Sequence, residues 1–382
     1  MTPTDMDARG RKLIAESIVI AGHTDYIADL GPRRRRGERA VMQRHLPSLR
    51  AGGITAVCDH IGGDAPYYAV YPANAVSPAA PLKHALQALQ HVKDEITEND
   101  ELMLALNSED IRRAHAAGKV AVILCLEGAA PIEDDLSLLR VLYDLGIRCI
   151  GLTHNQRNLL ADGIAVHAGG GLTDFGRQAV REMERLGIAV DVSHLSAEGF
   201  WSLVEVATRP ITASHSNAYA VNPHPRNLTD DQIRAIAASR GAIGVHGMSL
   251  LVNGTSNARL ADVIAHIDHM AGLVGVEYVA VGPDIMPDWD ATTYREVWSA
   301  SADLSSLTFT YPPDFDGLDK MENLATGLLQ RGYSDGDVAG ILGGNWLRVL
   351  GSIWDRPGAG PATTEKELAT SVTAVRRRAH DE

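Results

Sequence analysis

Six of the short apolar runs in this chain are followed at once by residues that could do metal chemistry. His23 and Asp25 follow the first run, Glu127 the third, His154 the fourth, His194 the fifth, His215 the sixth and Asp284 the eighth. Neutral imidazole nitrogens and carboxylate oxygens in these numbers suit borderline divalent cations such as Zn²⁺. His23 and Asp25 stand two apart, so on extended backbone their side chains leave the same face and can share one ion. A carboxylate has two oxygens and can bridge two ions about 3.5–4 Å apart, a role that falls to Glu127. A single strand-end histidine is ordinarily a hydrogen-bonded structural residue. Six such placements resist that explanation, because gathering carboxylates and imidazoles in a buried site without a cation costs several kcal/mol per unpaired charge. We therefore expect a metal site on His23, Asp25, Glu127, His194 and His215. His154 and Asp284 join it as further ligands, as groups supporting the ligands or as catalytic groups. His60 and His246 also stand near run ends and are assigned structural or rim positions.

The runs that must position these residues are 17–22 (SIVIAG), 54–58 (ITAVC), 120–126 (VAVILCL), 148–153 (RCIGLT), 188–193 (IAVDVS), 210–214 (PITAS), 242–245 (AIGV) and 278–282 (YVAVG). Between them lie helix-like segments at 39–51, 81–99, 109–117, 134–145, 174–186, 197–206, 230–239 and 260–274. Gly146, Gly187, Gly241 and Gly275 stand where helix ends should hand over to the next strand. Eight alternating units of this kind predict an α/β fold, a closed (β/α)8 barrel, and no Gly-rich dinucleotide loop follows the first run to favour an open sheet. In such barrels chemistry sits where the strands end, which is where the ligand-type residues stand. Segments 318–331, 335–350 and 364–379 read as C-terminal helices packed on the barrel, and no linker divides the chain, so one domain over 1–382 is expected.

The 382 residues carry 35 Lys and Arg against 48 Asp and Glu, a net charge of −13 that repels phosphate backbones and argues against a nucleic-acid partner. With 45% hydrophobic and 22% charged residues the chain has the composition of a globular protein. No uninterrupted apolar stretch is long enough to span a bilayer, and the start lacks the order of a secretory signal, so neither membrane nor export is expected. Cys58, Cys125 and Cys149 sit inside apolar runs and cannot all pair, which reads as reduced core thiols in a cytoplasmic protein.

In their order at the strand ends, several segments resemble the renal (membrane) dipeptidase family, peptidase family M19, a branch of the metal-dependent amidohydrolase-like barrels. The likeness runs from about residue 18 to about residue 350 and is carried by AGHTDYIADL, LEGAAPIEDDLSLLRVLYDLGIRCIGLTHNQRNLLADG, GLTDFGRQAVREMERLGIAVDVSHLS, SHSNAYAVNPHPRNLTDDQI and GGNWLRVL. The resemblance implies a dinuclear zinc site with His23 and Asp25 on one ion, His194 and His215 on the other, and Glu127 bridging. It also implies that His154 polarises the scissile carbonyl and that Arg226 grips the substrate carboxylate, which suits the rigid fork of a guanidinium. Asp284 corresponds to the family's acidic residue after strand eight, and a homodimer follows from the same resemblance. The family commonly shows Gly-Asp-Phe-Asp-Gly there, whereas this chain has Val281-Gly282-Pro283-Asp284-Ile285-Met286-Pro287 and keeps only the first Asp.

The expected activity is hydrolysis of small dipeptides with a free C-terminal carboxylate, including those with a D-residue at that position. His154 would polarise the carbonyl, and Asp284 would take the proton of the attacking water and return it to the leaving amine. The segment 62–81, with Tyr67, Tyr68 and Tyr71, is a candidate wall or lid, Tyr68 being its substrate-contacting residue. The run of four arginines at 33–36 reads as a solvated loop or an oligomer contact. Three alternatives stay open. One is a related amidase or lactamase acting on an N-acyl amino acid, a β-lactam or a biosynthetic intermediate. A deaminase or phosphotriesterase-like enzyme is opposed by His-Thr-Asp in place of His-x-His. The last is a metal-binding protein without activity.

Overall fold

The computed structural model describes residues 3–64, 80–285 and 309–355. Tyr67, Tyr68, Tyr71, the residues from Met286 to 308 and the expected helix at 364–379 lie outside that description. The strands are β1 (Val19–Thr24), β2 (Ile54–Gly62), β3 (Leu102–Leu104), β4 (Val120–Glu127), β5 (Ile147–Gly151), β6 (Ala189–Asp191), β7 (Ile211–Ala213), β8 (Ala242–Val245) and β9 (Val279–Val281). Every ladder is parallel, in the order β1-β2-β4-β5-β6-β7-β8-β9, with β3 pairing β4 off this path. The eight expected runs therefore form a nearly closed barrel wrapped by helices, an α/β TIM-barrel-like fold. The three-residue β3 was not expected, because Leu102–Leu104 is too short to show a period.

Strand parity sorts side chains into two layers. Inside the barrel, Ile20, Ala56, Cys58, Ala121, Ile123, Cys125, Cys149, Ala189, Ala242 and Ala280 form a buried cluster of mostly small residues. The intervening residues, such as Val57, Val122, Leu124, Val190, Ile243 and Val279, face the surrounding helices. The inward parity carries His60 beyond Cys58, Glu127 beyond Cys125 and Asp191 beyond Ala189 at the ends of their strands, and, continued past the last strand residue, His246 beyond Ala242 and Asp284 beyond Ala280. The three cysteines are buried and free within this interior.

β1 reaches the same rim by a different device. Ala21 is level with Val57 and Thr24 with Asp59, so three residues on β1 advance against two on β2. This bulge flips the parity of the strand and turns His23 and Asp25 inward, although Ile20 already faces the interior.

No ladder joins β9 to β1 among the described residues. The segment carrying GGNW fills that seam. Asn345 Nδ2 donates to Val279 O at 2.8 Å and Trp346 Nε1 to Val281 O at 2.9 Å, taking carbonyls of β9. A Cβ on Gly343 would fall 2.2 Å from Ile18 O and one on Gly22 would fall 2.6 Å from the Trp346 indole nitrogen, so both close approaches require glycine. The helix Asn345–Trp354 then lays Val349, Leu350 and Ile353 against the interior cluster.

Several helices match their expected spans, with Asp174–Leu186, Ala197–Val206 and Leu260–Val274 coinciding end to end. The segment at 39–51 is instead a short turn of 3-10 helix, Val41–Arg44, followed by Leu46–Ala51, broken around Pro47. An N-terminal helix, Pro3–Glu16, was not anticipated, its polar composition having masked it.

The arginine run corrects the sequence expectation, since it closes the helix Tyr26–Arg35 and its first two members are buried. Arg33 pairs with Asp29 at 2.6 Å, and Arg34 with Glu95 at 2.5 Å and Glu98 at 2.9 Å. Those carboxylates lie on this helix and on Pro81–Glu98, so the charges are neutralised across a helix pair.

Candidate active site

The expected residues converge at the C-terminal rim of the barrel. His23 Nε2 lies 3.6 Å from Asp25 Oδ1, 4.0 Å from Glu127 Oε1 and 3.5 Å from Asp284 Oδ1. The same Glu127 oxygen is 3.1 Å from His194 Nε2 and 3.5 Å from His215 Nε2, while Oε2 faces His154 Nε2 at 3.8 Å. Three groupings have all their donor atoms within 4.8 Å of one another: His23 with Asp25 and Glu127, Glu127 with His154 and His194, and His23 with His215 and Asp284. Glu127 belongs to the first two.

Hydrogen bonds fix which nitrogen of each ring is bare. His194 Nδ1 meets Asn155 Oδ1 at 2.8 Å, and an amide oxygen only accepts, so Nδ1 carries the proton. Ser214 Oγ donates to Asp191 Oδ2 at 2.5 Å, so it accepts from His215 Nδ1 at 2.7 Å. Both rings thus present an unprotonated Nε2, and the two Nε2 atoms lie 3.0 Å apart with Glu127 Oε1 beside them. Three lone pairs converging in a buried place repel one another unless a cation lies among them. His23 Nδ1 and Asp25 Oδ1 are also buried without a hydrogen-bond partner among the described residues. The residues present therefore fit a divalent metal centre.

The electrostatics of the two sides differ. Burial opposes a charge on the His23 imidazole, but Asp284, Asp25 and Glu127 outweigh it and lift that ring to about 10. Burial raises the Asp25 carboxyl to about 7 despite His23. His194 is held well below its ordinary value by burial, Arg226 and His154, and His215 by burial, His23 and Arg226. These two rings stay neutral, the form that binds metal. Burial would raise Asp284, yet His23 and His246 outweigh it and bring it down to about 2.

Two site residues sit in strained backbone, His194 at φ 69° and Asp284 at φ 49°. A non-glycine residue in the left-handed region costs of order 1 kcal/mol and persists where its surroundings over-determine it. Arg226 Nη2 is buried with no hydrogen-bond partner among the described residues, and the guanidinium lies in the field of Glu127, Asp284 and Asp191. A cation held without a hydrogen-bonded anion is prepared for an anionic ligand.

Sequence reasoning missed the residues that hold these in place. Asp64 accepts from His154 N at 2.8 Å, Ala130 N at 3.0 Å and Asn158 Nδ2 at 3.1 Å, tying together the loops after β2, β4 and β5. Gly128, beside Glu127, has no room for a Cβ because one would fall 2.3 Å from the Asp64 carboxyl carbon. Asp59 Oδ1 accepts from Thr24 Oγ1 at 3.2 Å and Ile27 N at 3.3 Å, anchoring the turn that carries Asp25. His246, expected in a structural or rim position, is 1% exposed and meets Asp284 Oδ2 at 2.9 Å. The parity of residues 242, 244 and 246 was the available signal for it. Asp64 and Asn155 act across loops and leave no local pattern.

The sequence signature of the membrane dipeptidase family, peptidase family M19, matches residues 7–300. The chain belongs to this family. An uncharacterised Klebsiella pneumoniae protein from the pqqA 5′ region is 30% identical over 290 residues, 73% of this chain and 99% of that one. The dipeptidase tcpJ of Claviceps purpurea is 30% identical over 262 residues, 67% of this chain and 56% of its own length. The dipeptidase aclJ of Aspergillus oryzae is 33% identical over 243 residues, 63% of this chain and 53% of its own. The match therefore spans just over half the length of these two relatives. Among solved structures, the metallo peptidase described as dipeptidase AC superposes with TM-score 0.75 at 25% identity, covering 90% of this chain and all of its own. A Rhodobacter sphaeroides metallo peptidase superposes at 0.74 with 24% identity, over 89% of this chain, and confirms the fold. As an M19 peptidase the chain is a hydrolase.

Proposed function

We propose that this M19 chain is a metal-dependent dipeptidase that cleaves dipeptides carrying a free C-terminal carboxylate, with His23, Asp25, Glu127, His194 and His215 holding two divalent ions, zinc foremost. The observation that carries this reading is the convergence of two bare imidazole nitrogens on one Glu127 oxygen, 3.1 and 3.5 Å away. When bound, such ions supply electrophilic polarisation and a water that ionises near neutral pH.

The chain's own residues supply the rest. Arg226 binds and orients the substrate carboxylate through its buried, unsatisfied Nη2, which places the peptide bond over the rim. His154, whose backbone N–H is fixed by Asp64, points Nε2 at the site and donates to the carbonyl oxygen as charge grows there. Asp284 Oδ1, facing the site beside His23, takes the proton of the attacking water and delivers it to the leaving nitrogen. Tolerance of a D-residue at the C-terminal position belongs to the same reading and rests on the family resemblance.

We read the protein as a cytoplasmic homodimer acting on small molecules. Three free buried thiols support the compartment and the family resemblance supports the dimer. No described helix is long and apolar enough to cross a membrane. A library of dipeptides, including L-D pairs and C-terminal amides, offered to zinc-loaded protein with Glu127→Gln as the blank, tests the proposal. Cleavage confined to free carboxylates and absent in the blank supports it. No cleavage of any dipeptide by protein that retains its metal overturns it in favour of an amidase or lactamase acting on another amide.

A further inference from the structure

We propose that His246 is a positioning residue for Asp284, donating from Nε2 to one carboxylate oxygen so that the other is presented to the reacting atoms. The inference rests on the proton-transfer role proposed above for Asp284. The direction of the bond follows from geometry. Met248 N donates to His246 Nδ1 at 3.0 Å, so that nitrogen is bare and the proton of the ring is on Nε2. Nε2 lies 2.9 Å from Asp284 Oδ2, which leaves Oδ1 as the oxygen turned toward His23 at 3.5 Å. The donor is neutral, so it orients the carboxylate without cancelling the charge that makes it a base.

The donor is itself locked. Asn217 brackets the His246 backbone, its Oδ1 accepting from His246 N at 3.0 Å and its Nδ2 donating to His246 O at 3.3 Å. The two segments are then stitched together, Gly247 N donating to Pro283 O at 2.8 Å and Tyr311 Oη to Asp284 O at 3.0 Å. These bonds hold Asp284 in its left-handed backbone, at φ 49°, but none of them fixes the rotation of its carboxylate. The His246 Nε2 bond does. A proton-transfer group that is free to turn away loses the alignment on which its contribution depends.

The test uses full-length, zinc-loaded protein and two variants, His246→Leu, which keeps bulk without a donor, and His246→Gln, whose amide N–H reaches the former Nε2 position. The expected result is a fall in kcat of about 30-fold for Leu with KM and bound metal unchanged, and recovery to within about fivefold of wild type for Gln. Equal losses in both variants, or a loss confined to KM or metal content, overturn the proposal. A second readout does not depend on turnover. Ring ¹⁵N spectra should show His246 protonated at Nε2, with that proton exchanging faster in Asp284→Ala, and a ring protonated at Nδ1 overturns the proposal. Should the wild type cleave no dipeptide, the dipeptidase reading falls and the ring spectra still decide whether His246 holds Asp284.

Discussion

The two sides of the rim use different chemistry to prepare the same kind of centre. On the β1 and β9 side, the carboxylates of Asp25, Asp284 and Glu127 crowd around His23, and the site lifts His23 to about 10 and Asp25 to about 7. On the β6 and β7 side, His194 and His215 have their Nδ1 protons committed to Asn155 and Ser214 and are held neutral by burial and by Arg226. The first side calls for a cation by charge and the second by converging lone pairs. Glu127 is common to both, so the comparison predicts which substitutions act on one side and which on the whole site.

The largest effect belongs to Glu127→Gln, which should release metal from both sides and lower activity by at least about 1,000-fold, as read by metal analysis beside a dipeptide assay. Retained metal would show that the two sides do not depend on the shared carboxylate. Asp284→Asn comes next. It should keep its metal and lose about 100-fold or more in kcat, and parallel loss of metal would make Asp284 a ligand of the β1 side instead. Arg226→Met should raise KM for free dipeptides by about 100-fold while leaving the poor hydrolysis of C-terminal amides unchanged, and an equal loss on both substrates would remove its role as carboxylate clamp.

A smaller effect sharpens the contrast directly. Metal entering the β1 side must displace protons from Asp25 and His23, whose affinities for protons are raised in the metal-free site, whereas His194 and His215 are already unprotonated near neutrality. Between about pH 6 and 8 the affinity of the first side should therefore climb with pH, by about tenfold per unit for each proton displaced, and that of the second should stay flat. Titrations of stripped protein in which both sites shift together would contradict the asymmetry. Smallest for function is Trp346→Phe at the seam, which leaves Val281 O unsatisfied and should cost about 1–2 kcal/mol of stability by denaturant unfolding, with kcat unchanged.

Much of this was legible in the chain because barrels place chemistry at strand ends and strands alternate their faces. Glu127 and Asp284 follow from that parity alone, and the seam motif GGNW was visible as a resemblance before its place between β9 and β1 was. What stayed hidden is of two kinds. The spacing of His23 and Asp25 is plain in the sequence, yet their inward direction depends on a bulge between Ala21 and Thr24 that no pattern in the β1 run announces. Asp64 and Asn155 act by hydrogen bonds across loops from different strands, so their partners are distant in sequence. The arginines at 33–36 misled for the same reason, because the carboxylates that neutralise Arg34 sit some sixty residues away on another helix.

The central claim is a two-sided metal centre joined by one carboxylate, and the most direct measurement is the number of divalent ions per chain, by native mass spectrometry, in wild type and in Glu127→Gln. Two ions in the wild type and none in the variant is the predicted result. One ion in the wild type, or two in the variant, would contradict it.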